Sequence, residues 1–384
     1  VVNNGLVTEQ SAQLDDTRFR HYLSGKTSLV AQGGGQRSIF TAGVLDAFLY
    51  ANFDPFHSFY GTSAGALNLT AYLCRQAELG KAFLLDLTTQ KEFFHTLSYI
   101  RRKQPMGLDW ALEKVCHYPY KLDLDMGQRV LGDREAYASV TDVVHLRDQY
   151  LPIFTPHWKE VLTATCAIPR LYDKPVSIDG IEYYDGGISA SVPAQQAWRQ
   201  EARLIVVIRT ESIGENLPQD VAPSEQTPTL PVWLREPVST IQEKWDLQVE
   251  RWKQEWTGFL KGQFEKSLPK QKLAKSLSLD GGRWLFGSGD VYRLSHLLGE
   301  HFDSGLADML MVHYQTYALT QQFLNNPPDD CFVVQICPKT PLQSTPLLSE
   351  PEALLHDYQL GFEAGNQFVK AFQSPLEQRQ KSAS

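Results

Sequence analysis

Two stretches decide how this chain folds: Ser28-Leu29-Val30-Ala31-Gln32-Gly33-Gly34-Gly35-Gln36-Arg37 and Phe56-His57-Ser58-Phe59-Tyr60-Gly61-Thr62-Ser63-Ala64-Gly65. Each is a short apolar run that enters a glycine cluster, and each is followed by a helical pattern. After the first, Ile39, Phe40, Gly43, Leu45, Phe48 and Leu49 recur at helical spacing; after the second, Leu67, Ala71 and Cys74 do. Strand, glycine loop and helix, repeated, is the alternation of an α/β fold, with a mostly parallel central sheet covered by helices. Farther along, Leu204 to Ile208 is a β-branched run with no polar member and reads as a central strand. Val176 to Ile178 and Ile181 to Tyr183 flank Asp179-Gly180 as a hairpin. Trp158, Val161, Leu162 and Thr165 mark a helix that must end before Pro169.

Working outward, residues 1–26 read as an N-terminal extension, 27–375 as a single α/β domain and 376–384 as a flexible tail. Within the domain, 89–150 is irregular and rich in aromatics and prolines. It reads as a helical cap that returns to the sheet near Ser139 to Val144. Residues 211–325 read as a helical segment. It is entered through a linker from Ile213 to Pro231 and carries a charged, tryptophan-rich stretch from Val238 to Leu279. A late strand at Phe332 to Ile336 and a closing helix from Pro351 to Phe372 complete the span 330–372.

The 384 residues are 42% hydrophobic, 21% charged and 11% aromatic, a globular composition. Lys and Arg number 36 against 44 Asp and Glu, a formal net charge of −8, which argues against a nucleic-acid partner. No run approaches the roughly 18–20 apolar residues of a membrane span, so a soluble protein is expected. The cysteines Cys74, Cys116, Cys166, Cys331 and Cys337 are scattered and odd in number, and they form no CxxC pair. They fit neither a disulfide framework nor a zinc site, and are expected as reduced, packed thiols. Val1 to Arg20 lacks the basic start and apolar core of a signal peptide, which makes the cytoplasm the expected compartment.

Gly61-Thr62-Ser63-Ala64-Gly65 matches GxSxG at a strand-to-helix junction. A nucleophile on so sharp a turn has strained backbone angles, and flanking glycines remove the Cβ clashes that would block it. The helix that follows aims free N–H groups and its positive dipole end at the serine, where negative charge develops. Gly33-Gly34-Gly35-Gln36-Arg37 occupies the equivalent earlier junction. A phosphate loop does not fit it, because neither GxxxxGK[ST] nor GxGxxG is present. Backbone donors for an ester oxyanion do fit, and a plain glycine turn is the alternative for this motif alone. Asp185-Gly186-Gly187 follows the hairpin; an aspartate there is ordinarily a turn former, or else the acidic partner of a serine.

In this order, GGGxR, GTSAG and DGG resemble the patatin-like phospholipase family, in its bacterial branch. The resemblance extends to Phe40 through Asp46, to Thr163 through Pro169, to Asp179-Gly180 and to Ile188 through Pro193. More weakly it takes in Phe332 to Pro338 and Tyr358 to Gly361, so that it spans 27–210 and 330–372 and leaves the tryptophan-rich stretch unplaced. Ser38 is a departure, standing where many relatives continue with glycine. The resemblance implies a three-layer fold, with Ser63 as nucleophile and Asp185 as proton acceptor in a Ser–Asp dyad. It implies an oxyanion hole of Gly33, Gly34 and Gly35, with Arg37 behind them and Ala64 after the serine. The implied activity is metal-independent and cofactor-free hydrolysis of a phospholipid, a lysophospholipid or a simpler acyl ester.

Two other readings stay open at this level: a catalytically idle lipid- or protein-binding relative, and a Ser–His–Asp triad esterase or thioesterase. The presence of both Ser63 and Asp185 speaks against the first. For the second, the late histidines are His296, His301, His313 and His356. His313 and His356 lie on helical patterns that suit a packed or solvated histidine, and His296 and His301 lack metal-ligand spacing. Arg101-Arg102-Lys103, and six basic against two acidic residues between Lys261 and Arg283, suit a solvated face. They equally suit transient contact with an anionic membrane surface, at about 1 kcal/mol per basic residue. Trp245, Trp252 and Trp256 read as a stripe packed on the domain.

Overall fold

Leu29, Val30 and Ala31 have no exposed surface, and neither has any residue from Leu204 to Ile208. Strands this apolar must be covered on both faces, which is the condition of a parallel sheet under helices. The computed structural model, which describes residues 22, 24–94, 106–169, 171–212 and 304–382, shows that arrangement. The strands are β1 (Lys26–Ala31), β2 (Ser58–Thr62), β3 (Glu135–Asp142), β4 (Asp148–Pro152), β5 (Val176–Ile178), β6 (Ile181–Asp185), β7 (Ala202–Ile208) and β8 (Phe332–Ile336). β3, β2, β1, β7 and β8 are parallel neighbours in that order, and β4, β5 and β6 join antiparallel at the β3 side.

The helices are α1 (Ile39–Tyr50), α2 (Ala64–Leu73), α3 (Leu79–Ala82), α4 (Leu108–Lys114), α5 (Leu124–Leu131), α6 (Trp158–Cys166), α7 (Gly187–Ala190), α8 (Ala194–Arg199), α9 (Ser304–Asn325) and α10 (Pro351–Ser382). Alternation along β2 assigns its two faces. Tyr60 joins Val30, Ile205, Val207 and Val333 in a core with Ala194 and Ala197 of α8 and Phe323 and Leu324 of α9. Phe59 points the other way, to Phe56, which stacks on Phe48 of α1, which in turn meets Phe368 of α10. α1 is buried almost all round because it lies between the sheet and α10. All described residues fall in one compact unit that joins the chain before 216 to the chain after 303.

Three expectations change. Among the described residues of 89–150, helix is confined to α4 and α5 apart from the turn at Thr88–Thr89, and the sheet resumes at Glu135. The expected return near Ser139 falls on the second half of β3; the first half, with the small residues Ala136 and Ala138, lacks a β-branched pattern. Glu211 and Ser212, expected to open a helical segment, instead run buried out of β7. The last helix continues past Phe372 to Ser382, through Leu376, Glu377, Gln378 and Arg379, all good helix formers. The sequence 1–21, Arg101-Arg102-Lys103, the linker from Ile213, the tryptophan stretch, the Lys261–Arg283 segment, His296 and His301 lie outside the described residues.

The register of β3 positions the site. Thr141 pairs with Asp148 of β4 and with Tyr184 of β6, so those two strands flank β3 on opposite sides. Ser139 pairs with Tyr150 of β4 and Thr62 of β2, so β2 also lies opposite β4. β2 and β6 therefore share one side of β3, in succession. β2 runs parallel to β3 and ends at Thr62; β6 runs antiparallel and ends at Asp185, opposite Val140. Their C-terminal ends meet head to head.

The α1–α10 contact makes a prediction. Phe368 is fully buried among Phe48, Phe53 and Phe372. Phe368→Ala should destabilise the protein by about 3–5 kcal/mol, read as a lower midpoint in urea. An unchanged midpoint would mean that α10 is not part of this core.

Candidate active site

Ser63 stands between β2 and α2 with φ 53° and ψ −131°, a conformation that costs a non-glycine residue about 1–3 kcal/mol. The surrounding hydrogen bonds hold it there. The Ser63 N–H donates to Thr165 Oγ1 at 2.9 Å, and the Thr165 hydroxyl donates to the Ser139 carbonyl at 2.6 Å. The Thr62 hydroxyl donates to the Ala190 carbonyl at 2.7 Å, which ties the strand end to α7. The start of α2 lies directly on the end of β1: a Cβ on Gly65 would come within 2.6 Å of the Gln32 carbonyl oxygen. That close approach is the physical reason for the second glycine of GxSxG.

Asp185 is buried at the facing strand end, with its N–H on the Ala167 carbonyl at 3.0 Å and its own carbonyl accepting from Thr141 at 2.9 Å. Its Oδ1 accepts the Gly187 N–H at 2.6 Å. Oδ2 completes no hydrogen bond among the described residues, although the Ser63 hydroxyl lies near enough to favour the ionised carboxyl. Catalytic hydrogen bonds are commonly long before substrate tightens them. Burial pushes the Asp185 pKa up to about 7, against the Gly187 N–H and the Ser63 hydroxyl, which both lower it. A carboxylate poised near neutrality suits a general base. The Cys166 thiol beside it is pushed up by burial and by that carboxylate, and stays protonated.

The glycine loop sits against the same point. Gly33 lies in the loop, but its N–H donates to the Ser191 carbonyl at 3.1 Å, so it is not available as an oxyanion donor. Gly35 has φ +56°, and a Cβ there would sit 2.3 Å from the Pro346 carbonyl oxygen. Arg37 follows in the short 3₁₀ turn Gly35–Ser38 and is buried behind the loop, 3.9 Å from Glu211. Glu211 also pairs with Arg209 at 2.9 Å. Burial opposes ionisation of Glu211, but Arg209 and Arg37 outweigh it and hold the carboxyl below its ordinary range.

A strained serine on a strand-to-helix turn, a buried aspartate at the facing strand end and a glycine loop beside them coincide in one place. The family model of the patatin-like phospholipases matches residues 29–198, which contain the serine, the aspartate and the glycine loop. The chain is also 32% identical over 355 residues to the uncharacterized protein YjjU of Escherichia coli (strain K12), spanning 91% of this chain and 79% of that protein. The chain belongs to the patatin-like phospholipase family. With it comes membership of a family of lipid hydrolases. Residues 303–377 match a second model, a domain of unknown function (DUF6363). Among solved structures, VipD from Legionella pneumophila aligns over 91% of this chain and 67% of its own, at 12% identity and a TM-score of 0.35.

Three residues near this patatin-like site were not singled out in the sequence. Thr165 was read as one position of a helix face, yet it carries the Ser63 N–H; a hydroxyl on an otherwise apolar face was the available signal. Arg209 and Glu211 follow a run of apolar strand residues, and only the fold shows that they turn inward. Of the late histidines, His313 is buried with Nδ1 2.9 Å from the Gly187 carbonyl, and His356 pairs with Asp357 at 3.0 Å. Among the described residues no cluster of His, Cys, Asp and Glu could hold a metal ion, no helix is long and apolar enough to cross a membrane, and the five cysteines are unpaired thiols.

The raised Asp185 pKa predicts a pH-dependent stability. The folded chain binds this proton more tightly than the unfolded chain, so the contribution is full below about pH 4 and is lost as pH rises to about 7. Asp185→Asn, which cannot ionise, should gain Tm relative to wild type across that window, with the difference level above pH 7. Thermal melts between pH 4 and 8 check this; a difference independent of pH would return Asp185 to an ordinary pKa.

Proposed function

We propose that this protein hydrolyses lipid acyl esters with Ser63 as nucleophile and Asp185 as proton acceptor. The observation that supports this most is the head-to-head meeting of β2 and β6, which brings together the strained serine that follows β2 and the buried carboxyl that ends β6. Ser63 Oγ attacks the ester carbonyl carbon while its proton passes to Asp185 Oδ2. The carbonyl oxygen becomes an anion held by the N–H groups of Gly34, Gly35 and Ala64, at the positive end of α2. Collapse breaks the ester bond, and Asp185 returns the proton to the departing alcohol. Water then attacks the acyl-Ser63 carbon with Asp185 again accepting the proton, and the free acid leaves.

A small pocket beside Ala64, the residue after the nucleophile, is lined by Leu67, Ala71, Leu79, Phe83 and Leu84 with Asn68 as its polar member. A phospholipid, lysophospholipid or simpler fatty ester would place its carbonyl at Ser63.

The tests are direct. Fluorophosphonate labelling mapped by mass spectrometry should modify Ser63 alone. Ser63→Ala and Asp185→Asn should each abolish p-nitrophenyl ester hydrolysis, and the double variant should be hardly worse than either, because groups that act as a unit are not additive. The rate should fall as pH drops through about 7, where Asp185 takes up its proton and ceases to be a base. Turnover retained in Asp185→Asn but lost in a histidine variant would assign a triad instead.

A further inference from the structure

The region 303–377, matched by a domain of unknown function, meets the proposed site at two points through a single helix face. His313 and Tyr317 of α9 are four residues apart, on the same side of the helix, with ring centroids 5.5 Å apart. α9 packs against α7, which starts at Gly187. A carbonyl only accepts, so the 2.9 Å contact means that His313 Nδ1 carries the proton and donates to the Gly187 oxygen. Gly187 is also the residue whose N–H holds Asp185 Oδ1 at 2.6 Å. The turn that carries the dyad's acid is thus pinned from behind by His313.

Tyr317 reaches the other half. Its hydroxyl donates to Glu211 Oε2, and Glu211 in turn holds Arg37, in the turn that follows the glycine loop, and Arg209. Arg209 extends the bracing to Gln32, the residue before Gly33, through Oε1 at 3.4 Å. Gln32 Oε1 also accepts the Thr210 N–H at 3.1 Å, and Thr210 donates to the Gly33 carbonyl at 3.2 Å. Both entry and exit of the glycine loop are braced by groups that converge on α9.

We propose that the 303–377 region is a working part of the hydrolytic site, in which His313 positions the Asp185 turn and Tyr317 positions the oxyanion loop. The proposal rests on the Ser63–Asp185 reading. It gives the domain of unknown function a role inside the patatin-like site, with no separate activity required. His313 acts without changing charge: burial pushes its pKa down to about 3, against the Gly187 carbonyl and Glu211, so it is neutral throughout the working range. The groups that face Asp185 are the Ser63 hydroxyl from the β2–α2 turn, the Cys166 thiol from α6 and the Gly187 N–H from α7. Those that face His313 are the Gly187 carbonyl, Glu211 beyond β7 and Tyr317 on its own helix. Of these, the Gly187 N–H is the one that His313 governs and that lowers the Asp185 pKa. Loosening it must move the Asp185 titration upward.

The experiment uses the full chain and two readouts: ester hydrolysis against pH, and the Asp185 carboxyl titrated by NMR with ¹³C-labelled aspartate. His313→Leu should raise the Asp185 midpoint by about 1 pH unit, roughly the worth of one hydrogen bond to a charged group. The acid limb of the rate should move with it, and kcat should fall about 10–100-fold, the scale of a small misplacement of a reacting group. His313→Asn, whose amide N–H reaches the same carbonyl, should restore much of both, and it stands in if the leucine variant does not fold. Tyr317→Phe should lower kcat and leave the Asp185 midpoint in place. A folded His313→Leu with wild-type midpoint and kcat overturns the proposal, as does an asparagine variant no better than leucine. If wild type hydrolyses no ester but the midpoint still shifts as stated, the pin stands and the hydrolase reading falls.

Discussion

The structure depends on one constraint in the sheet: β2 and β6 occupy the same side of β3 and run towards each other. A strand that ends part-way along its neighbour leaves the rest of that neighbour's edge unpaired. β6 fills the remainder, pairing Val140 to Asp142 after β2 has paired up to Ser139. Whatever residue ends each strand is delivered to the same place. Here the residue that follows β2 is a serine forced into a strained turn, and the residue that ends β6 is an aspartate with one oxygen committed to Gly187. The hydroxyls of Thr62, Ser139, Thr141 and Thr165 stitch this junction, satisfying backbone groups that two abutting strand ends would otherwise bury unpaired.

The electrostatics follow from that burial. Asp185 has no basic partner among the groups that shift it, so desolvation dominates and its pKa climbs towards neutrality. Glu211 is as buried but is flanked by Arg37 and Arg209, and its pKa goes down. Two carboxyls in one region are thereby driven apart, one poised to exchange a proton and one held as a permanent charge. Glu211 keeps two buried guanidinium groups in place behind the glycine loop.

Much of this was legible in the residues. The two glycine clusters after apolar runs, the β-branched strand at Leu204 to Ile208 and the hairpin around Asp179-Gly180 all carry local signals strong enough to read. Ser63 and Asp185 could be nominated because each sits in a motif with its own backbone requirement. Only the second half of β3 could be read, from Ser139 on, because its first half carries the small residues Ala136 and Ala138 with no periodic signature. The engaged N–H of Gly33 could not be read either, since its acceptor, Ser191, is remote in sequence and is brought near only by the turn after β6.

By itself, the sequence determined the alternation of strand, glycine loop and helix, and it singled out Ser63 and Asp185, since these rest on local periodicity and on residue types. Only the tertiary structure decided which backbone donors remain available, what pKa the acid takes and which late residues stand behind it. Burial and hydrogen-bond partnership are properties of groups that meet across the fold. His313 and Tyr317 show the difference: along the chain they are two positions on a helix, and in the folded protein they stand behind Gly187 and Glu211.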